Sequence, residues 1–235
     1  FYTRQGGDFS RIIRKGNSPA DYTWEVTDKQ GIKYIYGGEG AVLKGTITDA
    51  SGQSREVITE WKLKRVEETH GDYIEYVYET ADEPVRGGLV AKAIYLKEVR
   101  AGNSGQAPHT VVVLEGSKQK RLKNNNARYG FLTSSNRLLE KLTVHFQGST
   151  LRSYAFTYSE GAFNKDVLTG VKQLDDKGAE VSYQNFDYYD DVQAAKGYVP
   201  FKEKQETWNT HNDGLDAGFI SPLKEVGGIF SDKPT

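Results

Sequence analysis

Cysteine is absent from all 235 residues, and so is methionine. Without a thiol there is no disulfide, no thiolate nucleophile and no thiolate metal site. Charge of one sign is also lacking. The formal net charge is −1, from 31 basic and 32 acidic residues. No global field therefore draws the chain toward nucleic acid or a membrane surface. No window approaches the run of about 20 apolar residues that a membrane span needs, and no leader sequence is visible. Residue 1 is Phe, which together with the missing methionine reads as a fragment or a processed chain. Catalytic signatures are missing too: there is no Gly-x-Ser-x-Gly elbow and no Gly-x-x-x-x-Gly-Lys phosphate loop.

Tyrosine and glycine are abundant, at 15 and 25 residues. Four stretches place a turn glycine ahead of a strand with aromatic residues. They run from Gly31 to Tyr34 and Tyr36, and from Gly71 to Tyr73, Tyr76 and Tyr78. The third runs from Gly148 to Tyr154, Phe156 and Tyr158, and the fourth from Gly178 to Tyr183, Phe186, Tyr188 and Tyr189. Side chains two apart on a strand share a face, so each unit predicts an aromatic stripe on one side of a sheet. Tyr183 and Phe186 are three apart, and a bulge there would restore the pleat.

Alternation with period two fills most of the chain up to residue 192 and predicts half-buried strands. It is clearest in 57–64, where Val57, Thr59, Trp61 and Leu63 share one face. Further strands are expected over 9–14, 22–27, 32–36, 41–48, 73–79, 90–99, 110–115, 151–158, 167–174 and 180–189. Residues 137–142 fit a helical turn as well as a strand, whereas 142–146 alternate as a strand. Gly116–Asn126 is polar and basic and reads as an exposed loop. From residue 193 the pattern fails among scattered Gly and Pro, which predicts an irregular arm or linker. The expected class is all-β, with antiparallel strands and hairpins in large twisted sheets and little helix. The division is 1–192 for the β-rich domain and 193–235 for the arm.

Residues able to do chemistry are dispersed. His70, His109, His145 and His211 stand in no metal-binding or catalytic spacing. Asp213 and Asp216, with Asn209 and Asn212, offer oxygens to calcium but lack the full loop pattern. Asp175 and Asp176 read more simply as a hairpin turn. The basic residues Lys118, Lys120, Arg121, Lys123 and Arg128 fall in one loop and read as solvated rather than phosphate-binding. No catalytic, cofactor-binding or metal residue is assigned, and no cofactor is expected.

Several pieces, in order, resemble the N-terminal region of the Salmonella virulence plasmid B-type (SpvB-like) family. That region is shared by B components of insecticidal toxin complexes and by Rhs-type proteins. The pieces are residues 11–13, Tyr22 with Trp24 through Gly37, 58–66, 70–78, 95–99, 137–142 and 152–158. Trp208 through Gly218 resembles the family's lead into a propeller-like domain. The resemblance implies a non-catalytic β shell or sandwich segment of a large secreted, toxin-associated protein. Toxic activity in that family belongs to C-terminal domains. The implied partners are other domains of the same polypeptide and proteins of a toxin complex, with no nucleic acid and no membrane span. Two other readings stand beside it: a glycan- or protein-binding module using exposed tyrosines, and a hydrolase using an acid pair. Burial of Tyr76, Tyr78, Tyr154 and Tyr158 would favour the scaffold, and a cleft with facing carboxylates the enzyme.

Overall fold

The computed structural model describes residues 10–85 and 87–188. The expected arm over 193–235, with His211, Asp213 and Asp216, lies outside the described residues. Among the described residues there are fifteen strands, one short 3-10 turn at Ala162–Asn164 and no α-helix. The strands are β1 (Arg11–Lys15), β2 (Thr23–Thr27), β3 (Lys33–Gly37), β4 (Val42–Thr48), β5 (Ser54–Trp61), β6 (Leu63–Glu67), β7 (Asp72–Pro84) and β8 (Val90–Asn103). They continue with β9 (Thr110–Glu115), β10 (Asn125–Asn126), β11 (Thr133–Ser134), β12 (Lys141–Phe146), β13 (Ser149–Glu160), β14 (Asp166–Leu174) and β15 (Glu180–Asn185). Eleven of them form one path, β1-β2-β3-β6-β7-β8-β9-β12-β13-β14-β15. Every step along that path is antiparallel. The hairpin β4–β5 is a separate two-stranded sheet.

Turn chemistry explains why the strands hairpin. Four connections have one geometry, starting at Asp28, Asp49, Glu68 and Asp175. In each, the first residue donates its N–H to the carbonyl four residues on, and the Gly three residues on donates back to its carbonyl. Those glycines have φ of +85° (Gly31), +82° (Gly52), +97° (Gly71) and +86° (Gly178), a region that favours glycine. In three turns the Asp carboxylate completes the loop. Asp28 Oδ1 accepts from Gln30 N–H at 2.9 Å and Ile32 N–H at 3.0 Å. Asp49 Oδ1 accepts from Ser51 and Gln53 N–H at 2.9 and 3.0 Å. Asp175 Oδ1 accepts from Lys177 and Ala179 N–H at 2.9 and 2.7 Å. An Asn keeps that acceptor and an Ala does not. Asp28→Ala is therefore expected to cost about 1 kcal/mol and Asp28→Asn much less, measured by denaturant unfolding.

The run 57–64 is one strand in sequence and two in space. β5 ends at Trp61 and β6 begins at Leu63, in different sheets. Lys62 is the switch: its N–H donates to Ala41 O at 2.8 Å, while its carbonyl accepts from Gly37 N–H at 2.9 Å. One peptide thus bonds to the hairpin and the next to the large sheet, so Trp61 and Leu63 do not share a sheet face as the alternation suggested. Trp61 is half-buried in the corner. Its indole N–H donates to Tyr22 O at 2.7 Å. Its ring stands edge-on to Trp24, with centroids 6.2 Å apart.

Register assigns the faces of the large sheet. Val26, Tyr34, Val66, Ile74 and Ala101 oppose one another in a single row across five strands. Leu114, Leu142 and Tyr154 make another row. On the reverse face the row reads Ile13, Glu25, Ile35, Arg65, Glu75 and Arg100. One face is apolar and aromatic, the other largely charged. Ion pairs run along the charged face, with Lys15–Glu25 at 2.7 Å, Arg65–Glu67 at 2.6 Å and Arg100–Glu98 at 2.7 Å. The apolar face is mostly half-buried rather than enclosed. Full burial collects where β4 meets β8 and its surroundings, at Ala41, Val42, Leu43, Ala91, Ala93 and Leu138.

Residues 116–139 are not a loose loop. Glu115 pairs with Lys141 across β9 and β12. The same register continues through the bonds of Lys118 with Leu138 and Lys120 with Asn136, and the bridge of Gln119 with Arg137. It then shifts at 121–123 and resumes as β10–β11. The excursion is a continuation of the β9–β12 hairpin. Residues 137–139 are accordingly extended, not helical. Phe131 at its tip lies on Gly45 of β4, in the space a Cβ would fill.

Candidate functional site

The tyrosines are the first candidates. Tyr34, Tyr36, Tyr76, Tyr154 and Phe156 do lie on the apolar face, each half-buried. Tyr73, three residues before Tyr76, lies on the charged face instead. It is buried over Gly102, its cross-strand partner, with Arg65 stacked 3.9 Å from its ring centre. At the fourth unit the strand ends at Asn185, before Phe186, so no bulge is needed there. The register shift between β14 and β15 lies at Gln173/Leu174. Tyr183 leans over Gly170 of β14, where a Cβ would meet its ring.

Tyr78 and Tyr158 are placed alike in two units of the sheet. Each sits at a register shift, after Val77 in β7 and after Thr157 in β13. Tyr78 donates its hydroxyl to Leu63 O at 2.7 Å, and Tyr158 donates to Leu139 O at 2.7 Å. Each acceptor lies one residue short of the register partner, Lys62 or Leu138, that extending the β6–β7 and β12–β13 pairings gives. Both phenols are pushed above the usual tyrosine range, by desolvation first and then by neighbouring Tyr76, or by Glu140 and Asp166. Tyr158→Phe is expected to cost about 1 kcal/mol by thermal melting, because a half-buried carbonyl loses its donor.

A cavity of about 840 Å³ lies between the β4–β5 hairpin and the outer parts of β7 and β8. Asp21, Glu39, Glu56 and Asp82 line it, with Lys44 and Lys92. Three of the four carboxylates have structural partners. Asp82 receives Lys92 Nζ at 2.7 and 3.0 Å. Glu56 receives Lys44 Nζ at 3.1 Å. Asp21 caps its own turn, accepting the N–H groups of Asn17 and Ser18 at 3.1 and 2.6 Å. Those bonds hold its carboxyl below the ordinary range. A general acid at neutral pH needs the opposite shift, a carboxyl raised by burial or a like charge.

The histidines stay apart in role. His70 contacts Thr69 at 3.3 Å, His109 contacts Thr110 at 2.8 Å, and His145 contacts Thr150 at 3.3 Å. Among the described residues no group of three His, Asp or Glu is placed to hold a metal ion. Asp175 is a turn residue, as the sequence suggested. The basic run is not simply solvated. Arg121 pairs with Asp166 through its guanidinium and with its N–H at 2.8 Å. Lys120 Nζ donates to Ser135 O at 2.9 Å. Sequence reading missed the polar knot on β7 and β8. There Arg137 donates to Glu83 at 2.8 Å and Glu79 at 2.9 Å, with Tyr95 beneath it at 4.6 Å. The partners are more than 40 residues apart from Arg137 in sequence, and nothing local signals them.

Comparison with known proteins gives no matching family model and no matching curated protein. Solved structures do match. The N-terminal domain of the effector SpvB from Salmonella typhimurium strain LT2 aligns with a TM-score of 0.54 at 17% identity, over 73% of this chain and 67% of that one. The chain shares the fold of the SpvB N-terminal domain. A chain of the TcdB2-TccC3-TEV crystal structure aligns with a TM-score of 0.54 at 16% identity over 79% of this chain. A chain of the Photorhabdus luminescens Tc holotoxin pore aligns with a TM-score of 0.54 at 17% identity over 77%. This chain spans 11% of each of those two. The SpvB-like, toxin-complex resemblance seen in the residues is therefore matched at the level of fold. Among the described residues no helix is long and apolar enough to cross a membrane.

Proposed function

We propose that the chain is a non-catalytic structural β module of a larger, secreted, toxin-associated protein of the SpvB and toxin-complex B kind. In this reading it forms part of a shell or scaffold, as in Rhs-type proteins. Its partners are other domains of the same polypeptide and, through them, components of a toxin complex. The observation that carries the reading is the use made of the polar groups. The hydroxyls of Tyr78 and Tyr158 are bonded to backbone carbonyls, and Asp21, Glu56 and Asp82 in the cavity are paired or capping. Groups engaged in this way serve the strands and turns that they bond, which supports a structural role. The sheet-wide apolar face, half-buried, suits a wall that has neighbours on one side. The fold likeness to the SpvB N-terminal domain and to Tc chains supports the same reading.

The second reading is a glycan- or protein-binding surface on the half-buried tyrosines, and a hydrolase is a third. A glycan array probed with the purified chain separates the first two. The module reading expects no saturable binding at micromolar glycan. Saturable binding that Tyr76→Ala or Tyr154→Ala abolishes, with the fold retained by circular dichroism, would favour the binding module.

A further inference from the structure

The two ends of the sheet path are unlike. β1 stands at one edge with Arg11, Arg14 and Lys15, charges of the kind that keep an edge strand from pairing with another chain. β15 stands at the other edge, and among the described residues it pairs only with β14. It carries no Lys, Arg or Pro, and its one charge, Glu180, is held by Lys172 at 2.9 Å. The whole strand is exposed. Val181 is 61% exposed and Tyr183 47%, and Phe186 and Tyr188 are exposed just beyond them.

The pairing with β14 decides which backbone groups of that edge point outward. Phe186 N–H donates to Thr169 O at 3.0 Å. In the alternating antiparallel ladder Gln184 and Ser182 then also bond toward β14, and Tyr183 and Asn185 turn their N–H and C=O groups away from it. Those groups form a short template for a further strand. Tyr183 ends the charged-face row of Lys141, Ala155 and Lys172. Gln184 ends the apolar-face row of Phe156 and Val171.

We propose that this edge docks a second copy of the chain, β15 against β15, about a two-fold axis through Gln184. The topology selects that partner. β1 and β15 are the first and last of eleven strands in an antiparallel path, so they run in the same direction. Antiparallel addition of β1 from another copy would set a charged face beside an apolar one, whereas antiparallel addition of β15 keeps like faces together. β1 against β1 keeps them together too, but it opposes Arg and Lys to one another, which is destabilising. In the β15 pair, Tyr183 of each copy exchanges N–H···O bonds with Asn185 of the other. Val181 then faces Asp187, Ser182 faces Phe186, and Gln184 faces its own copy. No like charges are opposed. The strand is self-complementary, and the contact is isologous and closes at two copies.

An edge this short lies at the weak end of protein interfaces, so the dimer should be half-formed at roughly tens of micromolar. Sedimentation velocity of the intact chain over about 1–300 μM tests this, with the mass expected to rise from one chain to two. Gln184→Lys and Gln184→Glu each place two like charges across the axis, at the close non-hydrogen-bonded position. Each variant should stay monomeric, and an equimolar mixture of the two should regain the dimer. Asn185→Pro removes an outward N–H while leaving the bonds to β14 in place, and it should be monomeric as well. Circular dichroism checks the fold of each variant. A native chain that stays monomeric, a dimer that the Gln184 variants retain, a mixture that does not pair, or assembly beyond two copies would each overturn the proposal. Should the variants fail to fold, amide exchange on the native chain decides: protection of Tyr183 and Asn185 must rise with concentration, and no rise would refute the contact.

Discussion

Trp61→Ala is expected to lower stability by about 3 kcal/mol, the low end for a large aromatic because the ring is half-buried. For a chain of this size that is a fall in melting temperature of roughly 6–12 °C. Three things are lost at once. The indole N–H leaves Tyr22 O without its donor. The edge-on contact with Trp24 disappears. The ring no longer covers Gly37, whose absent Cβ would lie 2.5 Å from Trp61 Cδ1. All three sit where the chain passes from the β4–β5 hairpin to the large sheet, so the loss loosens the joint between two sheets. Trp61→Phe keeps most of the area and removes only the hydrogen bond. It should recover most of the deficit in the same thermal melt. An unchanged melt for Trp61→Ala would show that the corner is held by Lys62 and its backbone bonds alone.

Gly37→Val should cost about as much from the opposite side of that contact. Gly37 is buried with φ at +82°, where a β-branched residue is strained by roughly 1–2 kcal/mol. Its side chain would also enter the Trp61 ring and approach Tyr22 O at 3.4 Å. Overpacking of that kind costs about 1–3 kcal/mol. The sum is roughly 3 kcal/mol. The two predictions are coupled, because in Trp61→Ala the space beside Gly37 is empty and only the backbone strain remains. The double variant should therefore be clearly more stable than the sum of the two single losses. Strict additivity in denaturant unfolding would mean that the ring and the glycine do not meet.

Much of this fold is visible in the sequence because its signals are local. Period-two alternation marks the strands, and eight of the expected ranges coincide with observed ones to within two residues, 110–115 to the residue. The turns at Asp28 and Asp175 are visible because Asp followed three residues later by Gly is itself the mechanism. Asp49 and Gly52 carry the same signal and build the same loop. What could not be seen is non-local. The alternation over 57–64 runs unbroken through Lys62, and only the partners of its two peptide groups reveal the change of sheet. Gly116–Asn126 is polar enough to read as a loop, yet 118–120 pair in register with 136–138, and 125–126 pair with 133–134. Tyr73 belongs to the charged face because it is an odd number of residues from Tyr76, a distinction that a stripe of tyrosines conceals.

The candidate site was legible mainly as dispersion. The sequence offers acids in plenty and cannot pair them, and the structure assigns three of the cavity carboxylates to Lys44, Lys92 and a turn. The tyrosine repeat was visible, but the roles of Tyr78 and Tyr158 depend on register shifts in neighbouring strands. No window of sequence contains both sides of such a contact.

The most direct measurement of the central claim is turnover of a panel of chromogenic glycosides by the purified chain, run beside its Asp82→Asn and Glu56→Gln variants. The account predicts no hydrolysis above the uncatalysed rate for any of the three proteins. Hydrolysis by the native chain that either single substitution abolishes, with the fold retained, would contradict it.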